Sequence, residues 1–246
     1  KFDGTDLVKV DKAAFSAKDN PSFATDQNGA LYISYSDNDE SGMASVNKFD
    51  GTNWTGVGGE ASSGSVYYTS VAIDDNGTPY IAYQDQSADG AVVVMKYVDD
   101  NWVSVGAPVS ANEAAYISLV IDKNGTPYVA YNDLSLGITV IKYDGTNWVT
   151  VGTPESFSNN ESVSISFAID KNGTPYLAFQ DQSTDDDAAT VMKYNGVSWV
   201  SVGTPRFSDG EADYISLAID KNGTPYIAYQ DRSTGDDAAT VMKYNG

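Results

Sequence analysis

A short acidic phrase recurs five times in the chain and could bind a polyhydroxylated ligand. Each copy places an aromatic residue, one polar residue and an aspartate at the end of an apolar run, as in Tyr83, Gln84 and Asp85. Carboxylates and amides hydrogen-bond to hydroxyl groups, and aromatic rings stack on the C–H faces of sugars. We therefore predict ligand contacts at these aspartates, at the glutamines of three copies and at three tyrosines that begin other apolar runs. The candidates are Asp37, Asp85, Asp133, Asp181, Asp231, Gln84, Gln180, Gln230, Tyr68, Tyr116 and Tyr214.

The same aspartates have a structural alternative. An aspartate that follows a strand can accept hydrogen bonds from loop amides and thereby fix the loop. Every copy keeps its aspartate while the flanking loops vary in length, which favours the structural role. The sequence leaves both roles open.

Two acidic clusters could bind calcium. Residues 37–42 imitate the first half of an EF-hand loop, and residues 185–187 are three successive aspartates. The EF-hand pattern fails at its twelfth position, Lys48, where a bidentate glutamate is needed. We therefore predict no required cofactor and only a weak calcium site, with clustered solvated charge as the alternative. The calcium candidates are Asp37, Asp39, Asp185 and Asp187.

Catalysis is hard to assemble from this composition. The chain contains no histidine and no cysteine, which excludes the common triads, Cys–His pairs and imidazole or thiolate metal sites. A pair of carboxylates remains, as in glycoside hydrolysis, but it needs two carboxyl groups in different environments. Residues 181–194 and 231–244 are nearly identical and predict similar environments. We therefore expect a binding module and no enzyme, with a glycosidase or lyase as the alternative.

The charge of the chain limits its partners. Thirty-four acidic and 14 basic residues give a net charge of -20 at pH 7, which repels nucleic acid and anionic lipid. No apolar run reaches the length of a membrane span. We expect a glycan or an extracellular protein as partner, without nucleic acid or membrane insertion. We further expect a monomeric domain of a larger protein, extracellular or at the cell surface and bacterial in origin.

The elements that position these residues follow from a repeat. The glycine of an Asn-Gly turn recurs at intervals of 48, 48, 48 and 50 residues, the period of a propeller blade. In the last unit the predicted strands are 215–219, 226–229 and 239–244, and other units add a fourth strand with a tryptophan. We predict an all-β fold over residues 1–246, a five-bladed β-propeller with four-stranded antiparallel blades. The turn glycines are Gly29, Gly77, Gly125, Gly173 and Gly223.

The two ends of the chain predict how the ring closes. Residues 1–4 repeat the register of residues 48–51, and Leu7 stands where the tryptophans stand. Residues 7–10 are therefore predicted to complete the last blade, which stops at Gly246 after its third strand. A serine also recurs in every first strand, and it either lines the central channel or fits a crowded position. These serines are Ser22, Ser70, Ser118, Ser166 and Ser216.

The hairpin pattern resembles a known type of repeat. The run Asp-x-Asn-Gly-x-x-Tyr from Asp122 to Tyr128 is similar to the first hairpin of NHL-type and related bacterial β-propeller repeats. Five units of this length also resemble the tachylectin-2-type lectins in architecture. That resemblance implies a sugar site on each blade, and hence multivalent recognition or adhesion. A protein-interaction or spacer domain is the alternative.

Overall fold

The computed structural model describes residues 21–37, 39–152, 157, 164–183, 185–233 and 237–246. These residues form five antiparallel sheets that follow one another along the chain. The first two blades are β1 (Ser22–Thr25), β2 (Leu31–Asp37), β3 (Met43–Phe49) and β4 (Trp54–Gly56), then β5 (Val66–Ile73), β6 (Pro79–Asp85), β7 (Ala91–Val98) and β8 (Asn101–Ser104). The third and fourth are β9 (Ala114–Ile121), β10 (Pro127–Asp133), β11 (Gly137–Tyr143) and β12 (Trp148–Thr150), then β13 (Ile165–Ile169), β14 (Pro175–Asp181), β15 (Ala188–Tyr194) and β16 (Trp199–Ser201). The fifth contains β17 (Ala212–Ile219), β18 (Pro225–Asp231) and β19 (Ala238–Lys243).

The predicted all-β, five-bladed propeller is confirmed. Four blades have four strands in the predicted meander order, and three strands of the fifth are described. The strand predicted over residues 7–10, and with it the predicted closure of the ring, lies outside the described residues. Within the described ranges the one helical segment is a single 3-10 turn, Gln86–Ala88. None of the described helical structure has the length and apolar character needed to cross a bilayer.

The Asn-Gly turns are built as predicted. In the third blade the Oδ1 atom of Asp122 accepts hydrogen bonds from the backbone N–H groups of Asn124 and Thr126, both at 2.9 Å. Gly125 has a φ of 79°, a left-handed conformation that glycine adopts without steric cost. The turn thus satisfies its own polar groups and sets the register of β9 against β10.

Each blade buries one sheet face against the blade before it and the other face against the blade after it. In the second blade, Val92 and Val94 on β7 pack with residues of the third blade. Met95 and Tyr97, which alternate with them, pack with residues of the first blade. Because strand residues alternate between faces, the apolar third strands supply both interfaces.

Buried hydrogen bonds join the innermost strands of successive blades. The Oγ atom of Ser70 on β5 accepts a hydrogen bond from the backbone N–H of Leu119 on β9 at 3.0 Å. Ser22, Ser118 and Ser166 accept equivalent hydrogen bonds from Val71, Phe167 and Leu217. The recurring serine is therefore a link between blades, and this contact explains why the position is both small and polar.

The outer face of the fifth blade is uncovered. Val241 on β19 is 70% exposed, whereas the valines at the same position of the other blades are buried. At the opposite end of the array, Phe23 on β1 is 77% exposed, although its counterparts in the later blades are buried. The two faces that would meet at ring closure both remain accessible to solvent.

Candidate functional site

The strand register brings the predicted candidates to one end of each blade. In the fifth blade, Ala212 pairs with Asp231 and Asp213 with Gln230. In the second blade, Val66 pairs with Asp85 and Tyr67 with Gln84. The start of each first strand thus lies beside the end of the second strand. We call this end of the molecule the acidic loop face; it is formed by the loops after β2, β6, β10, β14 and β18 and by the crossovers between blades.

The strand-end aspartates organise the loops of this face. Asp85 accepts hydrogen bonds from the backbone N–H of Ser87 at 2.8 Å and from its hydroxyl at 2.6 Å. Asp133, Asp181, Asp231 and Asp37 accept equivalent backbone hydrogen bonds two residues ahead. The loop-fixing role is therefore present in all five blades. Ligand contact by these aspartates stays a prediction.

The polar and aromatic residues that precede the aspartates are largely internal. Gln84 and Gln180 are buried, and the Nε2 atom of Gln180 donates to Asp213 Oδ1 in the next blade at 2.9 Å. The aromatic residues Tyr83 and Tyr131 are buried as well, and burial raises the pKa of both phenols. The buried Oε1 atom of Gln230 has no hydrogen-bond partner among the described residues, which leaves one acceptor at this end of the fifth blade.

Three tyrosines of the acidic loop face stand at β-bulges. Tyr68, Tyr116 and Tyr214 have φ values of 52°, 53° and 50°, and the register of their strands shifts at these positions. A left-handed conformation is strained for a tyrosine, and such strain concentrates at functional sites, where bulges re-aim side chains. The rings of Tyr68 and Tyr116 lie side by side, with centroids 5.2 Å apart. Tyr214 is 78% exposed and presents its ring to solvent.

Charged side chains surround Tyr214. The guanidinium of Arg232 binds Asp213 Oδ2 at 2.8 Å and Glu211 Oε1 at 3.0 Å. Asp213 also receives the hydrogen bond from Gln180 described above. The junction of the fourth and fifth blades therefore combines an exposed aromatic ring with carboxylate, amide and guanidinium groups that hydrogen-bond to hydroxyls.

The fourth blade differs electrostatically from the fifth. Arg206, in the crossover after β16, pairs with the Asp181 carboxylate at 3.3 Å and with Asp186. Asp231, at the position equivalent to Asp181, instead accepts two hydrogen bonds from Ser233, and these lower its pKa. Nearly identical segments therefore have different surroundings, because residues outside the segments supply the partners.

Sequence reasoning missed the two arginines, Arg206 and Arg232, as site residues. They are the two arginines of the chain, and this rarity in a strongly acidic protein was the signal that could have found them. Both bind carboxylates of the acidic loop face, which means that part of the charge predicted to attract a ligand is neutralised locally.

A cleft adjoins one predicted aspartate at the junction of the first and second blades. It has a volume of about 480 Å³ and is lined by Glu60, Ser62, Asp85 and Trp102, among others. Tyr83 forms its floor and donates its hydroxyl hydrogen to the carbonyl oxygen of Ala61 at 3.0 Å. The volume lies in the range of small-ligand sites, and the lining combines carboxylates, hydroxyls and aromatic rings.

The calcium candidates are not gathered into an evident metal site. Over the ranges that the structure describes, no group of three or more acidic side chains is placed to hold a metal ion. Asp37 accepts a hydrogen bond from the backbone of Asp39 at 2.9 Å. Asp186, between Asp185 and Asp187, pairs with Arg206. Calcium binding stays a prediction.

Solved structures share this fold. The SapL1 lectin in complex with alpha methyl fucoside matches with a TM-score of 0.66 and 15% identity, over 94% of this chain and 79% of that chain. The Hadza microbial sialidase Hz136 matches at 0.60 and 14%, over 91% of this chain and 55% of its own, so this chain spans about half its length. A Penicillium chrysogenum alpha-L-arabinanase complexed with arabinobiose matches at 0.57 and 14%, over 92% and 78%. These identities show a common fold alone.

No protein-family model and no curated protein sequence matches the chain. The class that the fold defines is therefore the five-bladed β-propeller, with a lectin and glycosidases among its structural neighbours. The NHL-type assignment of the repeat stays a prediction.

The expectation that the chain is no enzyme is wrong. The arabinanase shares the architecture over 92% of this chain, so the fold does not separate binding from hydrolysis. The physical premise of that expectation fails as well, since equivalent carboxylates such as Asp181 and Asp231 have different partners.

Proposed function

We propose that this protein is a carbohydrate-binding β-propeller that uses its acidic loop face. The observation that carries the proposal is the set of three tyrosines held in a left-handed conformation at β-bulges. Each lies beside the polar residue and aspartate that end the neighbouring strand. The bulge turns the aromatic ring toward the mouth of the ring of blades, where it can stack on a sugar while polar groups hydrogen-bond to its hydroxyls.

The fourth–fifth blade junction is the first site to test. Tyr214 supplies an exposed ring, and Arg232 and Asp213 supply charged hydrogen-bonding groups next to it. The cleft beside Asp85 and Trp102 is the second. Several such sites on one rigid disc would act together on a surface that displays many copies of a sugar, with an avidity gain of about 10²–10⁴.

Lectin-like recognition of this kind belongs to the proposal, as does a location outside the cell. A net charge of -20 keeps the protein soluble and separate from anionic surfaces. The sugar-bound SapL1 lectin and arabinanase support the proposal through the fold that they share with this chain. Hydrolysis of the bound glycan is the second candidate, favoured by the unequal surroundings of Asp181 and Asp231.

A glycan array, probed with and without calcium, tests binding. We expect retention on immobilised glycans and at least tenfold weaker retention of the Tyr214→Ala variant. The matched control is Tyr226→Ala, which removes a tyrosine from the uncovered face of the fifth blade, and we expect it to bind like the unmodified protein. Equal loss in both variants would contradict a role for Tyr214.

Chromogenic arabinosides, xylosides and sialosides test the second candidate. Turnover that disappears in Asp181→Asn, with the fold retained by circular dichroism, would establish hydrolysis and assign a carboxylate to it. If the array shows no binding under either calcium condition and no glycoside is cleaved, the proposed function is wrong.

A further inference from the structure

The tryptophans of the fourth strands occupy one kind of seat between blades. Trp199 is buried, and its indole N–H donates to the carbonyl oxygen of Val151 in the preceding blade at 2.8 Å. A tyrosine of its own blade, Tyr194, lies against the ring with a centroid distance of 5.7 Å. Trp102 and Trp148 make the same hydrogen bond to Val57 and Val105 at 3.0 and 2.9 Å. The predicted packing role of the tryptophans is therefore confirmed.

A glycine follows each acceptor valine and makes room for the indole. A Cβ atom built on Gly152 would lie 3.0 Å from the Cδ1 atom of Trp199. Gly58 and Gly106 stand at the same distance class from Trp102 and Trp148. The seat is thus defined by a valine carbonyl, a glycine and a tyrosine, and it accepts one indole.

The equivalent seat between the fourth and fifth blades is an open cavity. Val202, Gly203 and Tyr244 hold the positions of the valine, the glycine and the tyrosine. The cavity has a volume of about 180 Å³ and a mainly apolar lining, which includes Ile227 and Met242. Near Gly203 a Cβ atom would meet the ring of Tyr244, at 3.4 Å, and no tryptophan.

The strand edge beside this cavity is also available. In the fourth blade, β15 pairs with β16 so that Tyr194 faces Trp199 and Met192 faces Ser201. In the fifth blade, β19 pairs with β18 on one side, and no described strand pairs with its other side. A free strand edge presents unpaired backbone groups that can pair with an added strand.

We propose that the fifth blade binds an extended peptide segment of a second protein, which pairs antiparallel with β19 and inserts a tryptophan into this cavity. The indole N–H donates to the carbonyl oxygen of Val202, as in the three filled seats. Main-chain pairing supplies affinity, and the indole pocket supplies specificity. The partner segment has the chemistry of residues 147–152, Asn-Trp-Val-Thr-Val-Gly, and it is neutral or basic because the net charge of this chain is -20.

A labelled peptide tests the proposal on the full chain. The probe is the octapeptide with the sequence of residues 145–152, acetylated or fluorescein-labelled at its N-terminus and amidated at its C-terminus. Fluorescence anisotropy should show saturable binding, and the same peptide with alanine in place of tryptophan should bind at least tenfold more weakly. Equal binding of the two peptides overturns the proposal, since the seat would then play no part.

The methionines report where the peptide binds. The chain has four methionines, which give a simple methyl spectrum after carbon-13 labelling. The indole ring should shift the Met242 methyl resonance upfield and leave those of Met43 and Met95 unchanged. An unchanged Met242 resonance at saturating peptide overturns the proposed location.

Two matched variants complete the test. Met242, 40% exposed, lines the cavity, and Met242→Lys should weaken peptide binding at least tenfold. Val197, 83% exposed in a turn of the fourth blade, tolerates the same change in charge, and Val197→Lys should bind peptide like the unmodified protein. Failure of the full chain to bind the peptide, including the case in which its own residues 7–10 fill the cavity, overturns the proposal.

Discussion

Replacement of Ser70 by alanine should remove one of the hydrogen bonds that join adjacent blades. The Oγ atom of Ser70 accepts the backbone N–H of Leu119 at 3.0 Å, and both residues are buried. The variant leaves this N–H without its partner in an interface that excludes water. An unsatisfied buried donor costs about 1–3 kcal/mol, and we expect the free energy of unfolding to fall by that amount.

The chain contains its own control for this experiment. Ser216 occupies the same position on β17 but is exposed, because it lies on the uncovered face of the fifth blade. Ser216→Ala should therefore change the free energy of unfolding by about 0.5 kcal/mol at most. The comparison removes the effect of the serine-to-alanine change itself and isolates the contribution of the neighbouring blade.

Urea unfolding followed by tryptophan fluorescence and far-UV circular dichroism measures both variants. The midpoint should fall for Ser70→Ala with an unchanged m value, since the surface exposed on unfolding stays the same. In a thermal melt each kcal/mol corresponds to about 2–4 °C for a chain of this size, which gives a decrease of about 2–12 °C. Equal decreases for Ser70→Ala and Ser216→Ala would refute the assignment of these serines as links between blades.

Three further measurements follow from the structure. Trp148→Ala should lower the free energy of unfolding by about 3–5 kcal/mol, and Trp148→Phe by less, because the phenyl ring keeps the packing and loses only the hydrogen bond to Val105; equal urea midpoints for both variants would contradict this. Gly125→Ala should cost about 1–2 kcal/mol in a thermal melt because its φ is 79° and no atom approaches its Cβ position. The hydrogen bonds from Ser233 lower the folded-state pKa of Asp231, so their stabilisation is present above the unfolded pKa of about 3.9 and is lost as the pH falls through the folded pKa; a urea midpoint of Asp231→Asn that falls as steeply below pH 4 as that of the unmodified protein would contradict this.

The first and second strands of the last blade were predictable because their signals are local. The predicted strands 215–219 and 226–229 lie inside β17 and β18. Alternation of apolar residues, a proline at the strand start and an Asn-Gly turn are properties of neighbours in sequence. The same signals, repeated at a constant period, fixed the five-bladed architecture and placed the strand-end aspartates beside the loops.

The bulges were not predictable in the same way. Tyr68, Tyr116 and Tyr214 were chosen for their aromatic rings, but nothing in their sequence indicated a left-handed backbone. A bulge arises when one strand has an extra residue relative to its partner, and this count depends on the pairing of two strands. The candidate site was therefore located from the sequence to the correct end of the blades, without its geometry.

The sequence by itself determined the blades, their turns and the end of each blade at which acidic and aromatic residues collect. The tertiary structure decided what the repeated residues do, because their partners come from adjacent blades about 50 residues away. Ser70 links two blades while Ser216 faces solvent, and Asp181 binds an arginine while Asp231 binds a serine. A repeat copies the residues of each blade but not the neighbours of its last member, and the open tryptophan seat beside Val202 is the clearest result of that difference.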